Sequence, residues 1–300
     1  MSDQQWLLAP AKLTLSLRIE GVRGDGYHNL AAEMVSIDLA DELLVDPTGD
    51  WLEVIDSSRT EPPSAPRSGR AAASKGSGVR GSSTKSPDLT GESSDLSTGP
   101  DNLVKRALGA IGRSAGVRLF KRVPVGGGLG GGSSDAAAML RWGGCSDLEI
   151  AARLGADVPF CLHGGRALVG GIGEKVVPLP FEERSFVLLV PPFPMSTAEV
   201  YRAWDSLPTA ERGGGGEAGN DLLQAALAIE PRLARWRDLF ASLTGRPPRL
   251  AGSGSTWFVE GSLADVGLER RRMIGLDGAI GLVIPVKAVP AGWTGPAQTD

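Results

Sequence analysis

From Lys12 the chain alternates polar and apolar residues, K-L-T-L-S-L-R-I, which sets Leu13, Leu15, Leu17 and Ile19 on one face of a strand. An Asp25-Gly26 pair then predicts a turn. "EMVSIDLADELLV" supplies a second extended, apolar-rich segment and "GDWLEVI" (49–55) another strand. The pattern then stops: between Asp56 and Asp88 the only large aliphatic residue is Val79. A segment so poor in apolar side chains cannot offset the entropy of ordering it, so residues 57–99 read as a disordered insertion.

Periodicity resumes at Asp101-Asn102, which predicts a cap for the helical spacing of "LVKRALGAIG". The strand "GVRLFKRVPV" (116–125) runs directly into a glycine-rich stretch. Ser134-Asp135 predict the start of a helix through Ala136, Met139 and Trp142, stopped by Gly143-Gly144. Ser146 to Glu149 has the spacing of a capping box for a second helix, with Gly155 at its far end. Beyond residue 180, "SFVLLVPP" predicts a strand, Ser196 to Glu199 another boxed helix and "STWFVEG" a further strand. The sum is an α+β pattern in two lobes, residues 1–180 and 181–300.

Bulk properties change this picture little. A chain of 300 residues that is 41% hydrophobic and 22% charged has an ordinary globular balance. A formal charge of −4 argues against a nucleic-acid partner, which calls for a basic face. Cys145 and Cys161 form no metal-ligand spacing and read as reduced thiols. The N-terminal residues show no basic region followed by an apolar run, and no stretch approaches the roughly 20 apolar residues of a membrane helix. The expectation is a soluble cytoplasmic protein with no membrane partner.

The chemistry concentrates in "VPVGGGLGGGSSDAAA", residues 123 to 138. Strand, glycine loop, helix N-terminus is an arrangement suited to phosphate: unpartnered N–H groups point outward and missing side chains let anionic oxygens approach. Ser133 and Ser134 add hydroxyls. No lysine follows the glycines, so the Walker pattern is absent. A G-x-G-x-x-G match at Gly126, Gly128 and Gly131 lacks the following strand and acidic residue that a dinucleotide fold needs.

Six separated motifs, in order "PAKLTLSL", "DGYHNL", "DNL", "KRVPVGGGLGGGSSDAA", "LGADVPF" and "AGSGS", resemble the GHMP kinase superfamily, and within it the branch whose substrate is a cytidine diphosphate-linked methylerythritol. The likeness spans nearly the whole chain except 57–99 and the last dozen residues. It implies a kinase that uses ATP and Mg²⁺, with nucleotide contacts from Asn102 and Lys121 near adenine. The phosphates would lie along Pro124, Val125, Gly126, Gly127, Gly128, Leu129, Gly130, Gly131, Gly132, Ser133 and Ser134, beside the later loop Gly252-Ser253-Gly254. No Mg²⁺ ligand is named by the motifs; Ser134 is a candidate.

The same resemblance assigns catalysis to Lys12 and Asp157. On spacing alone Asp157 is a turn aspartate and Lys12 a solvated lysine on the polar face of a strand. The family's aspartate accepts the proton of the attacking hydroxyl, here the 2-hydroxyl of the methylerythritol, and its lysine stabilises charge growing on that oxygen. Tyr27, His28, Thr197 and Tyr201 fall where the family holds the cytidylated substrate; on spacing alone Tyr201 fits a helix core equally well. Thr14 stands where an asparagine is usual and offers one hydroxyl in place of an amide. Other GHMP kinases, acting on homoserine or mevalonate, and an inactive nucleotide-binding module remain as alternatives.

Overall fold

The structure, a computed structural model, describes residues 4–58, 96–212, 219–270 and 272–295. Strands β1 (Gln5–Val22), β2 (His28–Asp46) and β3 (Trp51–Asp56) come first, then helix α1 (Leu103–Ala110), strand β4 (Gly116–Lys121), helices α2 (Gly131–Trp142), α3 (Leu148–Leu154) and α4 (Val158–His163), and strands β5 (Arg166–Gly171) and β6 (Lys175–Leu179). A second group follows: β7 (Ser185–Val190), α5 (Thr197–Ser206), α6 (Leu223–Ile229), α7 (Arg232–Thr244), β8 (Arg249–Leu250), β9 (Trp257–Glu260), β10 (Arg272–Leu276) and β11 (Ala279–Lys287). The architecture is α+β, as the periodicities predict. Of the expected insertion, residues 59–95 lie outside the described residues. Its predicted edges are held: Ser57 N–H donates to Lys121 O at 2.8 Å, and Ser97 O accepts from Asn102 Nδ2 at 2.7 Å.

β2 organises the first sheet, in the order β3-β4-β2-β5-β6 with β1 paired to β2. β1 runs antiparallel along nearly all of β2, whose other edge is shared between β5 at residues 30–35 and β4 at residues 42–46. The second sheet, β10-β11-β7-β9-β8, is stitched to the first near the gap between β5 and β4: Val289 N–H donates to Ser36 O at 2.9 Å and Lys287 N–H to Asp38 Oδ1 at 2.8 Å. The predicted alternation in β1 is realised. Leu13 and Leu15 enter a core shared with Phe186, Leu188 and Phe258 of the second sheet, and Leu17 a core under α5–α7. Lys12 and Thr14 are buried as well, so the polar face of this strand is not a solvated one.

Local chemistry displaces several predicted boundaries. β4 ends at Lys121, because the N–H groups of Arg122 and Val123 leave the sheet and both donate to the Asp41 carboxylate. α2 begins at Gly131, three residues before the predicted start at Ser134. Neither Ser134 nor Asp135 caps it: the Ser134 hydroxyl donates to Pro10 O, and Asp135 receives Lys121. α3 is capped by Asp147, which accepts from the N–H groups of Glu149 and Ile150, one residue later than the capping-box spacing predicts. Gly155 ends it in extended backbone, φ 173°, not in a left-handed cap. Ser196 does cap α5, accepting from Glu199 N–H.

One buried group ties these pieces together. Lys121 Nζ donates to Asp41 Oδ2 at 2.6 Å and to Asp135 Oδ2 at 2.7 Å, and all three side chains are essentially inaccessible. Removing one member of a buried ion cluster leaves uncompensated charge in a low-dielectric interior. Lys121→Met is therefore expected to cost about 3–5 kcal/mol of stability, read as a lowered urea midpoint; a loss below about 1 kcal/mol would show that the cluster behaves as a surface pair.

Candidate functional site

A cleft of about 510 Å³ opens between the glycine loop, the start of β2, the α3–α4 junction and α5. Its floor is β1. The pairing register of β1 shifts between Pro10 and Lys12, and Lys12 N–H donates to Leu129 O of the glycine loop at 2.9 Å instead of to β2. Such a bulge re-aims a side chain out of the regular alternation. Lys12 Nζ then lies 3.3 Å from Asp157 Oδ2 and donates to Thr14 Oγ1 at 3.1 Å. The lysine side chain is 7% exposed and the aspartate 32%, so the pair sits at the cleft wall with one oxygen-bearing end open.

Asp157 stands at the N-cap of α4, where an aspartate ordinarily accepts from the helix N–H groups. It makes no such bond. Pro159 occupies the first turn and removes one of the N–H donors, and the carboxylate turns to Lys12. Beneath the pair, burial first and the Asp157 charge second push the Cys161 thiol up to about 12, so it stays a neutral thiol and no nucleophile. Burial and the same carboxylate push the Tyr201 phenol up too, leaving it neutral. Asp157 and Asp205 are the carboxyl side chains lining the cleft among the described residues.

The glycine loop answers to sterics as much as to conformation. Gly128 and Gly130 have φ of +77° and +68°, values that favour glycine. A Cβ on Gly128 would meet Ala251 O at 2.4 Å, and one on Gly130 would meet Lys12 Cγ at 2.7 Å. The second sheet's own loop thus closes on the first: Thr256 N–H donates to Gly127 O at 3.2 Å and Met195 N–H to Gly126 O at 3.0 Å. That second loop is fixed by Asn220, whose Nδ2 donates to Leu250 O at 3.0 Å and Gly252 O at 2.6 Å. At the mouth of α2, no side chain caps the helix, and the first bond inside it runs from Ser134 N to Gly130 O. Among the described residues the N–H groups of Gly131, Gly132 and Ser133, three residues that line the cleft, have no partner, which is the helix-terminus geometry suited to an anion.

Most of the sequence-predicted residues converge here. Lys12, Thr14, Tyr27, His28, Pro124, Gly126, Gly128, Leu129, Gly130, Gly131, Gly132, Ser133, Asp157, Thr197 and Tyr201 line the one cleft, joined by Ser253, whose hydroxyl is 2.9 Å from that of Thr197. Five do not line it. Lys121 is sealed between Asp41 and Asp135, and the Ser134 hydroxyl is committed to Pro10 O, so neither side chain reaches the cleft. Asn102 is buried as the cap of α1, accepting from Val104 N–H, while its neighbour Leu103 reaches the cleft. Val125 and Gly127 turn away from it. Sequence reasoning missed Asp205, Arg202, Met195 and Ile172 on the cleft wall. Asp205 had a usable signal, since it lies one helical turn after Tyr201.

A second groove, about 750 Å³, runs behind the joint of the two sheets. Its arginines are consumed locally: Arg166 pairs with Glu33 and Glu182, Arg184 with Glu260 on both oxygens, and Arg249 lies 3.7 Å from Glu260. Among the described residues no helix is long and apolar enough to cross a membrane.

Residues 102–165, the span from the α1 cap to the end of α4, match the family model described as GHMP kinases N terminal domain. The 4-diphosphocytidyl-2-C-methyl-D-erythritol kinase of Paracoccus denitrificans (strain Pd 1222) is 35% identical over 90% of this chain and 92% of its own. That of Nitrosomonas eutropha (strain DSM 101675 / C91 / Nm57) is 32% identical over 84% and 86%. A crystal structure of 4-(cytidine 5′-diphospho)-2C-methyl-D-erythritol kinase superimposes with a TM-score of 0.60 at 28% identity, covering 93% of this chain and 99% of the other. With a bulged lysine facing an uncapping aspartate beneath the glycine loop, and relatives of this identity and coverage, the chain belongs to the 4-diphosphocytidyl-2-C-methyl-D-erythritol kinase family of GHMP kinases.

Proposed function

We propose that this kinase transfers the γ-phosphoryl group of ATP to the 2-hydroxyl of 4-diphosphocytidyl-2-C-methyl-D-erythritol, with Lys12 and Asp157 as its catalytic residues. The observation that carries the reading is the Lys12–Asp157 contact of 3.3 Å at the cleft wall, next to three unpartnered N–H groups of α2. Asp157, unused as a cap, takes the proton of the attacking hydroxyl. Lys12, locked by Thr14 and by the stem contact with Gly130, sets its ammonium where negative charge grows on that oxygen. Phosphoryl transfer asks little more of a protein than positioning and charge stabilisation.

The donor set fits a polyphosphate, with the N–H groups of Gly131, Gly132 and Ser133 as its cradle and Leu103 and Pro124 beside the base. Among the described residues no cluster of three or more His, Cys, Asp or Glu could hold a metal. Mg²⁺ would arrive on the nucleotide's phosphates and needs only one or two protein oxygens; the Ser133 hydroxyl would supply one, that of Ser134 being committed to Pro10 O. When bound, the ion neutralises phosphate charge. The cytidine end lies toward Tyr27, His28 and Tyr201, and Thr197 with Ser253 borders the space between base and phosphates.

Three outcomes test this. The wild-type protein should turn over ATP with the cytidylated alcohol and not with homoserine or mevalonate, while Asp157→Asn keeps nucleotide binding and loses about 10²–10⁴-fold in kcat; full activity of that variant removes Asp157 as the base. Gly130→Ala drives a Cβ into the Lys12 stem at a left-handed backbone position, and should lower kcat by about 10²-fold and the melting temperature with it. Tyr201→Ala should weaken the cytidylated substrate by about 1–3 kcal/mol through lost stacking, leave ATP affinity unchanged, and be nearly silent as Tyr201→Phe. Separate titrations of the two substrates distinguish this from a core role, which would lower the melting temperature and spare substrate affinity.

A further inference from the structure

At the outer end of the cleft His28 Nε2 lies 2.7 Å from Asp205 Oδ1. We propose that Asp205 is a positioning residue for base selection, fixing the tautomer of His28 so that Nδ1 presents a lone pair to an amino-bearing pyrimidine. The inference rests on the proposed use of this end of the cleft for the cytidine.

An ionised carboxylate only accepts, so the contact requires the hydrogen on Nε2. In a neutral imidazole the other nitrogen is then an acceptor. The ring has little freedom to turn over. It is tilted against Tyr201, centroids 4.8 Å apart, and edge-on to Trp204 at 5.4 Å, and its side chain is 9% exposed. The carboxylate is equally directed. Arg202, three residues earlier on α5, is its natural helical partner, yet Asp205 turns to His28 and no ion pair to Arg202 forms among the described residues. The backbone at this point is pinned from the other side: Arg212 donates to Asp205 O while its guanidinium covers the Trp204 ring at 4.9 Å.

Cytosine presents an amino donor where uracil presents a carbonyl acceptor. A lone pair at Nδ1 attracts the first and repels the second. The opposite tautomer, or a doubly protonated ring, reverses the preference. Asp205 therefore acts on recognition through His28, without touching the reacting atoms.

The test has two arms. Nitrogen-15 NMR of the imidazole in the wild-type protein at neutral pH, assigned with His28→Gln, should report the hydrogen on Nε2 alone. Competition by CDP and UDP against the cytidylated substrate should favour CDP in wild type, and Asp205→Leu and Asp205→Ala, which leave Nε2 without its acceptor, should each shrink that preference by about tenfold with the KM for ATP unchanged. A hydrogen on Nδ1, or on both nitrogens, overturns the proposal with no variant needed. So does an unaltered CDP-to-UDP ratio in variants whose ATP KM certifies folding. If wild type fails to turn over the cytidylated alcohol, the functional reading itself fails; if it turns over and the ratio ignores Asp205, only the present inference does.

Discussion

A single ammonium group governs how this enzyme holds its glycine loop. Lys121 ends β4, and its Nζ is shared between Asp41 of β2 and Asp135 of α2. Asp41 uses its other oxygen to take the N–H groups of Arg122 and Val123, the first residues past the strand. Entry to and exit from the glycine loop are thereby fixed to one buried cation. Burying three charges brings a desolvation penalty that their attraction rarely exceeds by much, so the cluster is better understood as a device for register than as a source of stability. A glycine loop has little order of its own; with both ends fixed, the disorder it can express is confined to the residues between.

Those residues are held from the opposite side by the second sheet. Gly126 O and Gly127 O accept from Met195 and Thr256, and the missing Cβ of Gly128 admits the carbonyl of Ala251. The loop is therefore part of the joint between the two sheets, continuous with the shared core of Leu13, Leu15, Phe186, Leu188 and Phe258. Segment 219–221 adds to the other edge of β1 by the bonds Leu17 N to Gly219 O and Asp221 N to Leu17 O, and Asn220 at its centre fixes the loop at Gly252. Lys12 sits on the strand that both sheets clamp. That explains how a long, flexible side chain can be held within 3.3 Å of its aspartate without the ordering entropy undoing it.

The α+β architecture and the strand–glycine loop–helix unit were legible from periodicity, since apolar spacing and glycine punctuation are local signals. Lys12 and Asp157 were legible only through the resemblance. Spacing made one a solvated lysine and the other a turn aspartate, because the bulge after Pro10 that turns Lys12 inward depends on a hydrogen bond to Leu129, more than a hundred residues away. Lys121 and Asn102 differ in the opposite sense, since neither lines the cleft. Each lies in a matching motif, yet one is sealed between two carboxylates and the other spends its amide on α1 and Ser97. A motif reports which segment approaches a site; which side chain within it faces the ligand is settled by burial and partners, as Leu103 and Pro124 illustrate.

Burial divides the cleft into two kinds of surface. The glycine-loop end is made of backbone and of side chains with almost no exposure, such as Lys12 and Thr14, inside the joint of the two sheets. The outer end is made of a turn and one helix: Tyr27, 60% exposed just after the Asp25-Gly26 turn, His28 at the start of β2, and Tyr201 and Asp205 on α5. A side chain at a turn or on a helix surface can be exchanged without disturbing a core, whereas exchanging Lys12 or Gly130 disturbs the joint itself. Thr14 sits on the boundary, inside the joint but accepting from Lys12, which is why a departure from the family pattern at that position bears first on how the lysine is held.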